Sequence, residues 1–94
     1  MHTREVAITN ERGLHAKASA AFVRLANRFR ANVMVELNGK RANGKSIMGL
    51  LMLAASRNSR IRIVAQGEDA EEALDSLCQL VAGKFGEEEG EQPN

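Results

Sequence analysis

The chain has 94 residues, a length that suits one small domain with one modest hydrophobic core. Its 13 basic and 12 acidic residues nearly balance, so no strong net field draws it to nucleic acid or to a membrane surface. It has no Trp or Tyr and only three Phe, which argues against a nucleic-acid site built on exposed stacking aromatics.

The chain gives no sign of export or membrane insertion. Cys78 is its only cysteine, so no internal disulfide forms and nothing points to an oxidising compartment. The residues from Met1 to Glu5 lack the apolar core of a signal peptide. No apolar run approaches the roughly 20 residues needed to span a bilayer. We therefore expect a cytoplasmic protein.

Apolar periodicity predicts the first two elements. Alternating apolar residues, with Val6 and Ile8 on one face, predict a strand over 4–9 that is followed by a turn over 10–13. Apolar residues then recur at helical spacing, which predicts a helix over 15–29. The buried stripe of this helix is expected to consist of Ala18, Ala21, Phe22, Leu25 and Phe29.

The middle of the chain has the pattern of a hairpin followed by a short helix. Strands are predicted over 32–37 and 40–43, because the Asn38-Gly39 pair between them suits a two-residue turn with positive φ. The second strand is short and polar, so we expect it at an edge of the sheet. A helix over 47–56 follows.

The last elements are a strand and an amphipathic helix. The strand is predicted over 60–66, with apolar residues inward and arginines outward. The helix is expected to begin at Asp69 as its N-cap, followed by Glu71 and Glu72, where the helix dipole favours acidic residues. Its predicted buried stripe is Ala70, Ala73, Leu74, Leu77, Cys78 and Val81.

The predicted order, β-α-β-β-α-β-α, belongs to the α+β class. One amphipathic sheet whose helices cover a single face is the simplest packing of these elements. We predict a single domain over 1–85 and an acidic tail over 86–94. The tail consists mostly of Glu, Gly, Gln and Pro, a composition typical of disorder.

The first functional signal is the motif Gly13-Leu14-His15-Ala16-Lys17. It places a histidine where a glycine-containing turn enters a helix, and the free N–H groups there can hold an anion such as a phosphoryl group. Lys17 can reach phosphoryl oxygens as a mobile point charge. By itself the pattern is weak, because a histidine at a helix start is more often an ordinary surface residue.

The second signal is Ser46, immediately before the predicted second helix. The local sequence is equally consistent with an N-cap role and with another role. As an N-cap, the serine oxygen would accept an orphan N–H and stabilise the helix by about 1 kcal/mol. Capping does not exclude modification. A phosphoserine would add roughly two negative charges, which a helix N-terminus tolerates, and would repel a partner with an acidic docking surface.

The third signal is a second helix with two apolar sides. Its core side is expected to comprise Leu50, Leu53 and Ala54, and the opposite side Met48, Leu51 and Met52, with Ile47 between them. A surface helix needs only one apolar side, and exposed methionines suit a site that packs against several partners. Burial of the helix on both sides is the alternative, which this small domain has little material to provide.

These residues resemble the histidine-containing phosphocarrier protein family, HPr, of the bacterial phosphoenolpyruvate-dependent phosphotransferase system. The similarity covers roughly positions 3–85, with the Asn38-Gly39 hairpin and the segment 65–70 in the same register. Each piece is common, but their combination is highly specific. Two motifs carry the resemblance, Gly13-Leu14-His15-Ala16-Lys17-Ala18-Ser19 and Gly44-Lys45-Ser46-Ile47-Met48-Gly49-Leu50-Leu51.

The resemblance implies an open-faced β-sandwich, with four antiparallel strands and three helices on one side. It implies that phosphorylated enzyme I phosphorylates His15 on Nδ1 and that the phosphoryl group passes to a histidine of an enzyme IIA domain. The N–H groups of Ala16 and Lys17 would receive phosphoryl oxygens. Ser46 matches the position that an ATP-dependent HPr kinase/phosphorylase modifies in many members.

The resemblance further implies a monomeric carrier that is not an enzyme acting on a small molecule and that needs no cofactor. No metal site is predicted either, because His2 and His15 form no ligand cluster. The surface expected to dock the partners consists of Ala20, Arg24, Asn27, Ile47, Met48, Gly49, Leu51 and Met52.

Two positions depart from the family pattern. Lys17 replaces the usual arginine after the active histidine, which keeps the charge and loses bidentate geometry. Ala18 replaces the usual proline, which removes a preorganised φ at the helix start. Neither change removes the nucleophile.

Three other interpretations remain open at this point. In the first, the chain is a carrier of the nitrogen-related regulatory branch instead of sugar uptake. In the second, it is a docking regulator that acts through Ser46 without carrier activity. The third is a nucleic-acid-binding module, against which the near-zero net charge argues. That module would use Arg24, Arg28, Arg30, Arg57, Arg60 and Arg62.

Overall fold

The computed structural model describes residues 1–87 and contains the predicted order of elements. Positions 88–94, which hold most of the expected acidic tail, lie outside the described residues. The elements are β1 (His2–Ala7), α1 (Ala16–Ala26), β2 (Asn32–Leu37), β3 (Lys40–Asn43), α2 (Ile47–Leu53), β4 (Arg60–Gln66) and α3 (Ala70–Ala82), followed by a turn, Lys84–Gly86.

The four strands form one antiparallel sheet in the order β1-β4-β2-β3. The last strand in sequence, β4, lies between β1 and β2 and pairs Ile61 with Val6 and Ile63 with Val35. As predicted, β3 lies at an edge, and both turn residues of its hairpin have positive φ, 51° at Asn38 and 83° at Gly39. The helices pack on the sheet and on one another, which confirms the open-faced sandwich.

The hydrophobic core lies between the sheet and the helices. In β4 the alternation is as predicted, since Ile61, Ile63 and Ala65 are buried while Arg60 and Arg62 are exposed. In α1 the buried stripe differs in part from the prediction. Its buried residues are Ala18, Ser19, Phe22, Val23 and Ala26, whereas Ala21, Leu25 and Phe29 are only half-buried.

Both of the first two helices end earlier than predicted. After Ala26 the N–H groups of Arg28 and Phe29 donate to carbonyls three residues back, so the chain tightens out of the α-helix. Lys45 Nζ donates to the Phe29 carbonyl at 2.8 Å and closes this turn. The prediction of a helix through Phe29 is therefore wrong by one turn.

The second helix ends at Leu53 because Ala54 is in the left-handed region, with φ 54°, and its N–H donates to the Leu51 carbonyl. The prediction that Ala54 packs in the core is wrong, since it is exposed and Ala55 is buried instead. The reversal brings the Ala55 carbonyl to the Leu14 N–H, at 2.9 Å. A straight helix through Ser56 would not present that carbonyl.

The first strand is shifted toward the N-terminus. The predicted range was 4–9, but pairing begins at His2, opposite Ala65 of β4. Beyond Ala7 the Ile8 N–H donates to Ser59 and the Ile8 carbonyl accepts from Asn58, so Ile8 leaves the regular ladder while its side chain stays fully buried.

Asp69 stands at the predicted N-cap of α3, but its side chain makes no capping bond. It accepts instead from the N–H groups of Arg30 (2.9 Å) and Ala31 (2.8 Å), which fastens the α1–β2 connection to the start of α3. The Arg30 N–H, followed by that of Ala31, holds the pKa of Asp69 below its ordinary value of 3.8, against the opposing effect of desolvation.

The lowered pKa gives Asp69 a defined effect on stability. Its ionised form stabilises the fold fully above the unfolded-state pKa, and this contribution is lost as pH falls through the lower folded-state pKa. We expect the unfolding free energy of Asp69→Asn to fall less steeply than that of the wild type as pH decreases below about 4. Urea denaturation at a series of pH values measures this slope. The neighbouring Glu68→Gln should keep the wild-type slope. Parallel curves for wild type and Asp69→Asn would contradict this assignment.

Gly13 is required by a close approach of two backbones. Its φ is +66°, and an added Cβ would lie 2.2 Å from the Ala55 oxygen and 2.9 Å from the Ser56 Cα. Gly39 also has a positive φ, +83°, but its Cβ would meet nothing within 4 Å. The two glycines therefore separate the cost of backbone conformation from the cost of a steric clash.

We expect Gly39→Ala to lower the unfolding free energy by about 1 kcal/mol, the usual cost of a left-handed alanine. Gly13→Ala should lose about 1–3 kcal/mol more, because the clash is with backbone that has no rotamer to change. Chemical denaturation of both variants measures the difference. Equal losses would show that the Gly13–Ala55 contact is not a constraint.

Candidate functional site

His15 is the N-cap of α1, at the helix start where the sequence placed it. Its backbone is extended, with φ −79° and ψ −176°, and its carbonyl accepts the Ser19 N–H at 2.8 Å. Its Nδ1 accepts the Lys17 N–H at 3.3 Å. The imidazole thus does what a serine or aspartate side chain does at most helix starts, and it satisfies one of the orphan donors.

The backbone on both sides of His15 is anchored. Leu14 is buried and donates its N–H to the Ala55 carbonyl, and its own carbonyl accepts from Ser19 Oγ at 3.2 Å. Ser19 is fully buried on α1. Because the turn is fixed to the end of α2 and to the first turns of α1, His15 is held in a defined place on the surface.

The other ring nitrogen of His15 contacts a residue that the sequence did not indicate. Nε2 lies 2.5 Å from Oε2 of Glu87, 72 positions along the chain, and Glu87 Oε1 accepts from Asn10 Nδ2 at 3.1 Å. The same Asn10 nitrogen donates to the Gly13 carbonyl at 2.9 Å. In the sequence, Glu87 is one of several acidic residues near the end of the chain and Asn10 is part of a predicted turn. The contact of Glu87 with His15 and Asn10 is therefore apparent only in the tertiary structure.

The charge and N–H groups assigned to phosphoryl binding lie around the first turn of α1. The side chains of Ala16 and Lys17 are both exposed. The Lys17 N–H is directed at His15 Nδ1, so one of the two N–H groups named for phosphoryl oxygens already faces the ring nitrogen. The position of the Lys17 side chain leaves it accessible to an anion that approaches from solvent.

Ser46 is the N-cap of α2, as its sequence context allowed. Its Oγ accepts the Gly49 N–H at 3.0 Å, and its backbone is extended at φ −124°. A Cβ at position 49 would lie 3.2 Å from this oxygen, so the glycine leaves room for the cap. The side chain is only half-buried, and its carbonyl accepts the Leu50 N–H at 3.1 Å.

The helix α2 has the two apolar sides that its sequence predicted. Leu50 and Leu53 are buried in the core. On the outer side Met48 is 69% exposed, Met52 74% and Ile47 40%, an unusual amount of apolar side chain for a small surface.

Three of the expected partner-binding residues lie on α1 or at its C-cap, and α1 packs against α2. Arg24 and Asn27 are exposed and Ala20 is half-buried. We call the combined surface the docking face, defined as Ala20, Arg24, Asn27, Ile47, Met48, Gly49, Leu51 and Met52.

The arginines proposed for nucleic-acid binding do not form one free basic patch. Arg60 and Arg62 both pair with Glu5, at 3.7 and 3.3 Å, on the open face of the sheet. Arg62 also reaches Glu36, at 4.0 Å. Ion pairs of this kind are typical of a solvated sheet surface. Within residues 1–87 no helix is both long and apolar enough to cross a membrane.

Comparison with known proteins gives a consistent family. The profile described as "PTS HPr component phosphorylation site" matches residues 2–83. The phosphocarrier protein HPr of Cupriavidus necator is 44% identical over 89 residues, which cover 95% of this chain and 100% of that protein. The HPr-like protein Crh of Bacillus subtilis is 44% identical over 81 residues, 86% of this chain and 95% of that one.

A solved structure is similar to this chain in both fold and sequence. The crystal structure of HPr-C-His from Thermoanaerobacter tengcongensis matches with a TM-score of 0.90 and 41% identity, over 94% of this chain and 99% of that one. The match therefore covers nearly all of both chains. On this agreement of sequence and fold, the chain belongs to the HPr family of phosphocarrier proteins.

Proposed function

We propose that this protein accepts a phosphoryl group on His15 from phosphorylated enzyme I and passes it to a histidine of enzyme IIA domains in the cytoplasm. The observation that carries the proposal is the position of His15. Its imidazole caps a helix, with Nδ1 directed at an N–H group of the helix start. A nitrogen nucleophile and an anion-binding backbone thus occupy the same place.

The chemistry is an in-line exchange of one P–N bond for another. The Nδ1 lone pair of His15 attacks the phosphorus of the donor phosphohistidine, and the P–N bond of the donor breaks with its electron pair returning to the donor ring. The Lys17 N–H then turns from Nδ1 to a phosphoryl oxygen, and the N–H of Ala16 is available to another. Onward transfer repeats the exchange in the opposite sense.

Lys17 supplies mobile charge in this mechanism. Its ammonium group is a point charge on a flexible side chain, so it can follow the phosphoryl group. It does not form the bidentate hydrogen bonds that arginine would form. A looser grip suits a carrier, because a phosphoryl group held too tightly would not leave for the next protein. The substitution is expected to alter transfer rates while the chemistry stays the same.

The docking face is proposed to bind donor and acceptor in turn. It presents apolar methionines beside the exposed Arg24, a combination that suits partners with apolar surfaces edged by acidic residues. Both partners must reach His15, so one face serves both and they exclude each other. An alternating carrier needs that exclusivity.

Ser46 is proposed as the regulatory phosphorylation site of an HPr kinase/phosphorylase. Its Oγ caps α2 directly beside Ile47 and Met48 of the docking face. A phosphate here would sit at a helix N-terminus, which tolerates negative charge, so the fold would persist. The added charge would repel an acidic partner surface.

The carrier function predicts labelling of a single histidine. Given phosphoenolpyruvate and enzyme I, the wild type should gain one acid-labile, base-stable phosphate, and His15→Ala should gain none. His2→Ala is the matched control, because His2 is the other histidine of the chain and lies exposed on β1. Mass spectrometry after alkaline quenching measures the phosphate.

The control separates the proposed site from any accessible imidazole. His2→Ala should be labelled like the wild type. Labelling of His15→Ala at the wild-type level would refute the carrier proposal and favour a docking regulator that acts through Ser46.

The regulatory proposal predicts that a charge at position 46 weakens docking. Aspartate is a good N-cap, so Ser46→Asp should keep the fold while it lowers the affinity for enzyme I by on the order of 10-fold, about 1.4 kcal/mol. Gln66→Glu is the control, since it adds the same charge at an exposed end of β4. Titration calorimetry measures both affinities, and an unchanged Ser46→Asp would overturn the proposal.

A further inference from the structure

The proposed transfer makes no use of Glu87, although its carboxylate lies 2.5 Å from His15 Nε2. Both side chains are largely shielded, with 22% of His15 and 18% of Glu87 exposed. A contact this short between shielded groups is stronger than a surface ion pair, because solvent screens it less. The contact therefore affects which ring nitrogen of His15 carries the proton.

The contacts at the two ring nitrogens agree on one tautomer. The Lys17 N–H donates to Nδ1, which requires a lone pair on that nitrogen. In the neutral ring the proton must then be on Nε2, where Oε2 of Glu87 accepts it. The unprotonated nitrogen is thus Nδ1, the atom that attacks phosphorus in the proposed function.

We propose that Glu87 is a positioning residue for His15, which directs phosphorylation to Nδ1 and stabilises the phosphorylated ring; this rests on the carrier function. Glu87 contacts Nε2, whereas Nδ1 keeps its lone pair and accepts the Lys17 N–H. When the Nδ1–P bond forms, the ring keeps its Nε2 proton and takes on positive charge. The carboxylate beside that proton stabilises the charge where it develops.

The surroundings hold Glu87 in this position. Asn10 is fully buried and uses Nδ2 to donate both to the Gly13 carbonyl and to Glu87 Oε1. Among the described residues Asn10 Oδ1 has no hydrogen-bond partner. Leaving a buried acceptor unpaired is unfavourable, so the amide is held in this orientation by what its nitrogen binds.

The chain before Glu87 is turned toward the site by an unusual backbone. Lys84, Phe85 and Gly86 have consecutive positive φ values of 60°, 58° and 79°. Left-handed backbone is unfavourable for the two non-glycine residues, and the buried Phe85 ring offsets that cost. The Glu87 N–H donates to the Lys84 carbonyl at 2.9 Å, so the carboxylate is delivered from a closed turn.

The ring nitrogen that Glu87 contacts distinguishes a positioning role for this carboxylate from an obstructing one. An obstructing carboxylate would face Nδ1 or the Lys17 N–H, whereas Glu87 faces the opposite nitrogen. The two roles also predict opposite results when the carboxylate is removed. Positioning predicts slower and less selective phosphorylation, and obstruction predicts faster phosphorylation.

The first test does not depend on enzyme I. Phosphoramidate serves as a small donor: the bond from His15 to phosphorus forms as the P–N bond of phosphoramidate breaks, and ammonia leaves with a proton from solvent. We expect the wild type to give the Nδ1 product alone and Glu87→Ala to give a mixture with the Nε2 product, distinguished by ³¹P and ¹⁵N NMR. Nε2 phosphorylation of the wild type would overturn the proposal.

The second test measures the effect on transfer from enzyme I. Glu87→Ala should lower kcat by on the order of 10-fold with KM nearly unchanged, because Glu87 lies outside the docking face. Glu87→Gln keeps a hydrogen-bond acceptor without the charge, so it should restore Nδ1 selectivity and leave kcat low. Glu71→Gln, in the exposed first turn of α3, is the control and should match the wild type.

The two tests distinguish failure of this inference from failure of the carrier function. If enzyme I labels the wild type but Glu87→Ala is equally fast or faster, the positioning role is refuted and the carrier function stands. If enzyme I does not label the wild type, the carrier function fails, and the phosphoramidate selectivity still decides whether Glu87 directs chemistry to Nδ1. Thermal melts of each variant verify that the fold is retained.

Discussion

The structure depends on the place where the turn before α1 meets the end of α2. The Leu14 N–H donates to the Ala55 carbonyl at 2.9 Å, and Gly13 lies so close to that carbonyl that only a hydrogen fits between them. To present the carbonyl, α2 stops at Leu53 and Ala54 enters the left-handed region. One backbone contact thereby fixes the start of the helix that bears His15 to the helix that bears most of the docking face.

That arrangement places His15 close to an exposed apolar surface within a small domain. The core takes Leu50 and Leu53 from α2 and leaves the methionines of the same helix to solvent. An exposed apolar face is unfavourable for an isolated molecule and is typical of a surface that binds other proteins. His15 lies at the start of the neighbouring helix, so a partner that binds the docking face as proposed would be brought to His15.

The imidazole of His15 is constrained at both nitrogens by groups of different kinds. A backbone N–H of α1 contacts Nδ1, and the carboxylate of Glu87 contacts Nε2. The first contact is local, since the two residues are two positions apart. The second joins positions 72 apart, where the buried Asn10 binds Glu87 and the buried Phe85 packs just before it in the chain. Under the proposed carrier function, this tautomer would define which ring nitrogen is phosphorylated.

The sequence by itself determined the order of elements, the hairpin at Asn38 and Gly39, the outward methionines of α2 and the histidine at a helix start, because periodicity, turn preferences and capping act over a few residues. It misjudged the ends of α1 and α2 and the role of Asp69, which binds the N–H groups of Arg30 and Ala31 instead of capping its own helix. Only the tertiary structure decided those features and brought Glu87 to His15. Each depends on a contact between distant segments, for which the local sequence contains no signal.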